Sequence, residues 1–194
     1  MSGPPLSLSL NLDWPSTSEP DPVVRVTVKN TSKDETYTIF KWASPLDPLA
    51  LALGLVSVFI PSREDGPGTR FDIPQIMLKR AMPPPEDAFV TLAPGEGAFH
   101  DIVLRDPAVD MNRLVSAAKE ASRNGPAAVN IQVLCSADNE DEDEAQRGAV
   151  IWRGKRKEDL SDGEILSLGR GGRENGGAAR WNFESNVLGL VVAL

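Results

Sequence analysis

From Leu6 to Leu12, leucine alternates strictly with small polar residues. That is the two-residue period of a strand that buries one face and leaves the other wet. The period returns in Val23 to Asn30, with Val24, Val26 and Val28 on one side and Arg25, Thr27 and Lys29 on the other. Asn30 to Asp34 then supplies short side chains able to bond their own backbone, the chemistry of a turn. Thr36 to Trp42 follows as a β-branched and aromatic strand. Phe89 to Leu104 repeats the arrangement, strand, Pro94–Gly95 turn, strand, so both segments read as hairpin-like units.

Between and beyond these units the pattern is less regular. Asp47–Pro48 can open a short helical turn, and Val56 to Ile60 reads as a buried strand ended by Pro61. Gln75 to Lys79 reads as an extended segment and Pro83–Pro84–Pro85 as a rigid corner. One helix is expected over Pro107 to Arg123: Asp106 caps it, Pro107 takes its first position, and Asn124–Gly125 stops it. Met111, Leu114, Val115 and Ala118 form its apolar stripe. Val129, Ile131, Val133 and Cys135 restore strand spacing, Ala149 to Trp152 can return as a strand, and Asn186 to Leu194 closes the chain as an uncharged apolar strand. The acidic stretch around 138–147 and the Gly-rich stretch 169–179 are expected to be flexible loops.

Composition narrows the class. With 194 residues, 41% hydrophobic and 25% charged, the chain has enough apolar material for a core, and one domain over 1–194 is expected. Sixteen glycines and sixteen prolines suit the many turns of an all-β domain. A net charge of −8 argues against phosphate backbones and anionic lipid as partners. Cys135 is the single cysteine, which leaves no intramolecular disulfide and no multi-thiolate metal site. The first residues lack the basic and apolar regions of a secretory signal, and no apolar run approaches the roughly 18 residues of a membrane span. An intracellular protein, cytoplasmic or nuclear, is expected.

Several stretches also carry a resemblance. Val26 to Asn30, Ser44 to Asp47, Phe89 to Glu96, and Asp101 form a Val/Thr strand, an Asn-Thr turn, a "TPLD"-like corner and a "FVTLAPGE"-like hairpin before an Asp-containing strand. In this the first half of the chain resembles the N-terminal, pro-region-like β domain of the deuterolysin family of fungal zinc endopeptidases. The resemblance implies an immunoglobulin-like two-sheet β-sandwich, here carrying the inserted helix near 107–123. It does not imply proteolysis, because that family's zinc helix needs two histidines and this sequence has only His100.

Candidate chemistry is sparse. His100 shares a strand face with Ala98, Ile102 and Leu104, while Asp101 points to the opposite face and cannot orient its imidazole. A structural histidine is the expected reading. Asp47, Asp72, Asp101, Asp106 and Asp110 have no metal-specific spacing, and Asp138 to Glu144 lacks the glycine of a calcium loop. That acidic block reads as a solvated loop; weak calcium attraction or recognition of a basic surface are its alternatives. Gly154 to Lys157 is a short basic patch and Gly169 to Gly177 lacks the flanks of a phosphate cradle. Trp14, Trp42, Trp152 and Trp181 are expected in or at the edge of the core, with Trp42 or Trp181 as partner anchors if exposed.

No catalytic, metal or binding residue is assigned from sequence, and no cofactor is expected. The favoured reading is a non-catalytic interaction module with a protein partner, including a homodimer formed through a sheet edge or the apolar C-terminus. One alternative is a small enzyme or ligand-binding protein with a pocket between the two sheets that holds His100 with Asp72 or another acid. Another is a peptidase-binding, pro-region-like domain.

Overall fold

A computed structural model of the chain describes residues 6–13, 21–61, 68–122, 128–135, 149–168, 178–181 and 183–191. Its strands are β1 (Leu6–Asp13), β2 (Val23–Asn30), β3 (Tyr37–Phe40), β4 (Val56–Ile60), β5 (Thr69–Arg70), β6 (Phe89–Leu92), β7 (Gly97–Val103), β8 (Ala128–Cys135), β9 (Ala149–Arg153), β10 (Ala178–Trp181), β11 (Phe183–Glu184) and β12 (Leu188–Val191). Helices α1 (Met111–Ser122) and α2 (Asp162–Ser167) accompany them. The sandwich expected as two sheets is divided, among the described residues, into three antiparallel ladders. Their orders are β1-β2-β7, β10-β9-β3-β6 and β11-β8-β4-β5, with β12 also on β8.

Neither hairpin-like unit pairs with itself. β2 pairs β7 and β3 pairs β6, so each turn carries the chain from one sheet to another. A two-residue period says which face of a strand is buried, not which strand lies beside it. The two turns run together and Asn30, fully buried, fastens them. Its side-chain amide donates to the carbonyls of Glu35 (2.7 Å) and Leu92 (3.0 Å), and its Oδ1 accepts from Ser32 N–H (2.9 Å). Its backbone N–H donates to Glu96 at 2.8 Å, and its carbonyl accepts from Gly95 at 3.0 Å. Gly95 has φ +81°, a conformation that only glycine adopts freely.

The core follows the alternation. Val24, Val26 and Val28 are completely buried and join Leu10, Tyr37, Ile39, Val58, Leu92, Ile131 and Ile151, which come from all three ladders. β3 is buried along its whole length because both of its faces are covered. Tyr37 and Ile39 face this main core, while Phe40 joins Phe89, Trp152 and Leu160 in a second cluster against which Trp42 and Ile165 pack.

The helices depart from expectation in two ways. α1 begins at Met111 rather than Pro107, and Asp110 caps it by accepting from Arg113 N–H at 2.9 Å. Val109 is fully buried, so the chain turns inward between Asp106 and the helix, and Asp110 supplies the cap immediately before the apolar stripe. Leu114 and Ala118 are the buried part of that stripe. The expected stop at Asn124–Gly125 lies outside the described residues. α2 was not foreseen, although Ser161-x-x-Glu164 is a capping box: Glu164 Oε2 accepts from Ser161 N–H at 3.0 Å and Ser161 Oγ from Glu164 N–H at 3.4 Å. The loop expected at 138–147 lies outside the described residues, as does 169–177. Ala178 and Ala179, expected in a loop, instead pair with Trp152 and Ile151 in β10.

The C-terminal strand pairs β8 in two registers, Phe183 opposite Cys135 and Leu188 opposite Ile131. The residues between them break the ladder and turn Asn186 toward β1, where its Oδ1 accepts from Leu10 N–H.

Candidate functional site

β7 is an edge strand, and its residues alternate as its sequence requires. Ile102 and Leu104 are buried and His100 is half-buried, whereas Phe99 is 62% and Val103 36% exposed. The register with β2 also sorts its backbone. Leu104 N–H donates to Pro22 and Asn30 N–H to Glu96, so the even positions of β7 turn their peptide groups toward β2. Phe99, Asp101 and Val103 therefore direct their N–H and C=O groups away from the sheet. Among the described residues these groups have no hydrogen-bond partner.

Beside this edge lies a cavity of about 200 Å³, lined on one side by His100 to Val103 and on the other by Pro48, Leu49, Leu51 and Ala52, with Ala108 at one end. The far wall is held by the Ser44–Asp47 corner. Asp47 is completely buried; its carboxylate accepts from Ala43 N–H (2.8 Å), Leu49 N–H (2.9 Å) and Arg80 Nη2 (2.7 Å). Ser44 Oγ donates to the Lys41 carbonyl and accepts from Leu46 N–H. The guanidinium of Arg80 also lies over the Trp42 ring, 4.9 Å from its centroid. So this short polar corner, with one cation from the following loop, sets the wall that faces β7.

His100 belongs to this wall-to-strand contact. The imidazole borders the same cavity as Pro48, whose backbone is one of the groups that favour its protonated form. Burial holds its imidazole below the ordinary range, against the opposing pull of Asp101 and Asp47, while Lys41 adds to the lowering. Asp101 points to the other face and takes a two-pronged bond from Arg25, Nε to Oδ1 at 2.7 Å and Nη2 to Oδ2 at 2.8 Å. That hydrogen bonding keeps its carboxyl below the usual range. Arg25 in turn covers the Phe99 ring at 4.4 Å.

The structure does not bring His100 and Asp72 together. Asp72 is exposed and lines a different cavity, about 220 Å³, with Gly54, Ser57, Arg70 and Gln75. Asp106 is exposed in a turn and Asp110 caps α1. Among the described residues, no three His, Cys, Asp or Glu side chains gather as a metal site. Trp152 is fully buried and Trp42 partly buried, as core positions. Trp14 and the acidic block Asp138 to Glu144 lie outside the described residues; Cys135 and Trp181 are placed only as backbone of β8 and β10. The basic patch dissolves into ion pairs: Lys155 bonds Glu164 (2.6 Å) and Lys157 bonds Glu86 (2.7 Å). The Lys155 ammonium and the Ser161 N–H hold the Glu164 carboxyl below its usual range.

Other exposed apolar side chains come from the extended segment. Ile76, Met77 and Leu78 are all exposed, Met77 fully, and Ile76 N–H is fastened to the carbonyl of Ala52, a cavity residue. Sequence reading named the segment but not its exposure. The open edge of β7 was missed as well. Its only signal was the apolar Phe99 and Val103 on the outward face, either side of Asp101 and without a proline or lysine between them.

No helix among the described residues is long and apolar enough to cross a membrane. No curated protein matches the chain. A family model for the immunoglobulin-like domain matches residues 7–125, which span β1 to β7 and α1. The later strands complete the same sheets, β9 beside β3 and β8 beside β4. With well over half of its residues covered by that match, the chain belongs to the immunoglobulin-like domain family.

Proposed function

We propose that the chain is a protein-binding module that runs no reaction of its own. The observation that carries this reading is the exposed apolar surface on and beside β7: Phe99, Val103, Leu49 and the Ile76–Leu78 segment. Apolar side chains left exposed along and near an unpaired strand edge offer a surface that another molecule can cover. The rival pocket reading has two cavities in its favour. At about 220 and 200 Å³ each is smaller than the roughly 300–1,000 Å³ typical of small-molecule sites. Asp72 lines the other cavity, and Asp101, which borders the same one as His100, gives both carboxylate oxygens to Arg25 on the opposite strand face, so His100 has no acid partner in either.

A thermal-shift comparison tests the choice. Polypeptide ligands selected from a displayed library of random 12-residue peptides raise the melting temperature of a module, and a metabolite collection does not. Stabilisation by metabolites alone sinks the reading. Self-association is checked by sedimentation velocity over micromolar concentrations, where a strict monomer removes that part.

A narrower form makes the partner a peptidase, following the resemblance to deuterolysin pro-regions. It rests on that resemblance alone; Asn30, Asp47 and Asp101, which carry it, make bonds inside the fold. Undiminished activity of a deuterolysin-type enzyme in excess of this chain rejects it.

A further inference from the structure

We propose that the free edge of β7 takes up an extended, uncharged segment of a partner polypeptide as an added strand, with one apolar side chain of that segment seated in the cavity beside His100. This rests on the protein-binding reading and names the place and the chemistry of the partner. Three observations converge on it.

First, Phe99, Asp101 and Val103 present an alternating row of N–H and C=O groups with no partner among the described residues. Such a row is complementary to an extended backbone and to little else; main-chain bonds then supply affinity and side-chain pockets supply selectivity. Second, a strand laid along β7 alternates its own side chains. Those turned to the face of His100 and Ile102 enter the cavity between β7 and Pro48–Ala52. That space, about 200 Å³ and walled by Pro48, Leu49, Leu51 and Ala52, suits one apolar side chain rather than a metabolite. Those turned to the other face meet Phe99 and Val103.

Third, charge selects the segment. Asp101 is already neutralised by the two-pronged Arg25, so the edge offers no net charge to a newcomer. A charged side chain brought to this strip would lose water without gaining a counter-ion, whereas an uncharged one loses little. At the opposite edge of the same sheet, Asn186 occupies the backbone of Leu10 in the middle of β1 and interrupts that row, whereas no side chain among the described residues interrupts the row on β7.

The test uses the purified full chain and peptides enriched on it from the displayed 12-residue library. Two variants are compared with the parent, each checked for an unchanged thermal melt. Phe99→Pro removes an outward-facing N–H together with the phenyl ring beneath Arg25 and leaves the bonds to β2; Phe99→Ala, which keeps the N–H, is run beside it as a control to separate the two losses. Ala108→Phe, at an exposed position lining the cavity, fills it. Enriched peptides are expected to carry apolar residues at alternate positions and to bind each variant at least about tenfold more weakly, the scale of one lost anchor. Peptides that bind both variants as tightly as the parent overturn the edge site while leaving the protein-binding reading standing. Failure to enrich any peptide overturns both. Dimers of the free chain that Phe99→Pro abolishes assign the edge to a second copy and overturn the partner-segment proposal.

Discussion

At one edge of the β1-β2-β7 sheet, the N–H of Leu10 donates to Asn186 Oδ1 (2.7 Å) and its carbonyl accepts from Asn186 Nδ2 (3.3 Å). At the other, the corresponding groups of Phe99, Asp101 and Val103 have no partner among the described residues. A single carboxamide, delivered by the break between β11 and β12, imitates one residue of a neighbouring strand and blunts the first edge. The second is flanked by a cavity instead. Edges attract strands, and one sheet that guards one side and leaves the other open has a preferred side for association.

The largest effect on this contrast should come from the wall of the cavity. Asp47→Ala strands the largely buried Arg80 and releases the turn that carries Pro48 and Leu49. Breaking a buried pair from one side costs about 3–5 kcal/mol, read by urea denaturation. Asn186→Ala should come next. It leaves the Leu10 amide and carbonyl unpaired at a position only 2% exposed, at a cost of about 1–3 kcal/mol. It should also make β1 associate, visible as a stronger concentration dependence of sedimentation than the parent's.

A smaller effect concerns His100. The unfolded imidazole takes a proton near its ordinary 6.5, while burial makes the folded one resist it. Stability should therefore be full above that pH and fall as pH drops through the window down to the lowered folded value. His100→Gln should flatten that stretch of the stability–pH curve. The same slope in both proteins would assign the titration to another group. Smallest is Arg25→Ala. The pair with Asp101 is partly exposed, so its loss should cost no more than about 1 kcal/mol. The variant should still bind enriched peptides less well, because Asp101 then stands uncompensated on the edge.

Much of the fold was legible in local spacing. The faces of β2 and β7 and the stripe of α1 follow from periods of two and about three and a half residues, and burial obeys them. Neighbour relations were not legible: nothing in Asn30 to Glu35 says that β2 turns away from β3 toward β7. The start of α1 slipped because Asp106–Pro107 and Asp110 are both acceptable beginnings, and buried Val109 decides between them only in three dimensions. α2 was in reach, since Ser161-x-x-Glu164 is a local signal. The candidate site was the least legible. His100 was correctly read as a strand residue facing Ile102, but its cavity needs Pro48 to Ala52 and Ala108, and the closure of β1 needs Asn186, which is far away in the chain.

Amide hydrogen exchange followed residue by residue is the most direct test of the difference between the two edges. The N–H of Leu10 should exchange as slowly as the interior amides of β2, and Asn186→Ala should accelerate it. In the free protein, Phe99, Asp101 and Val103 should exchange fast between slow neighbours at His100, Ile102 and Leu104. Uniform protection along Gly97 to Val103, or a Leu10 amide as fast as that of Phe99, would contradict the account.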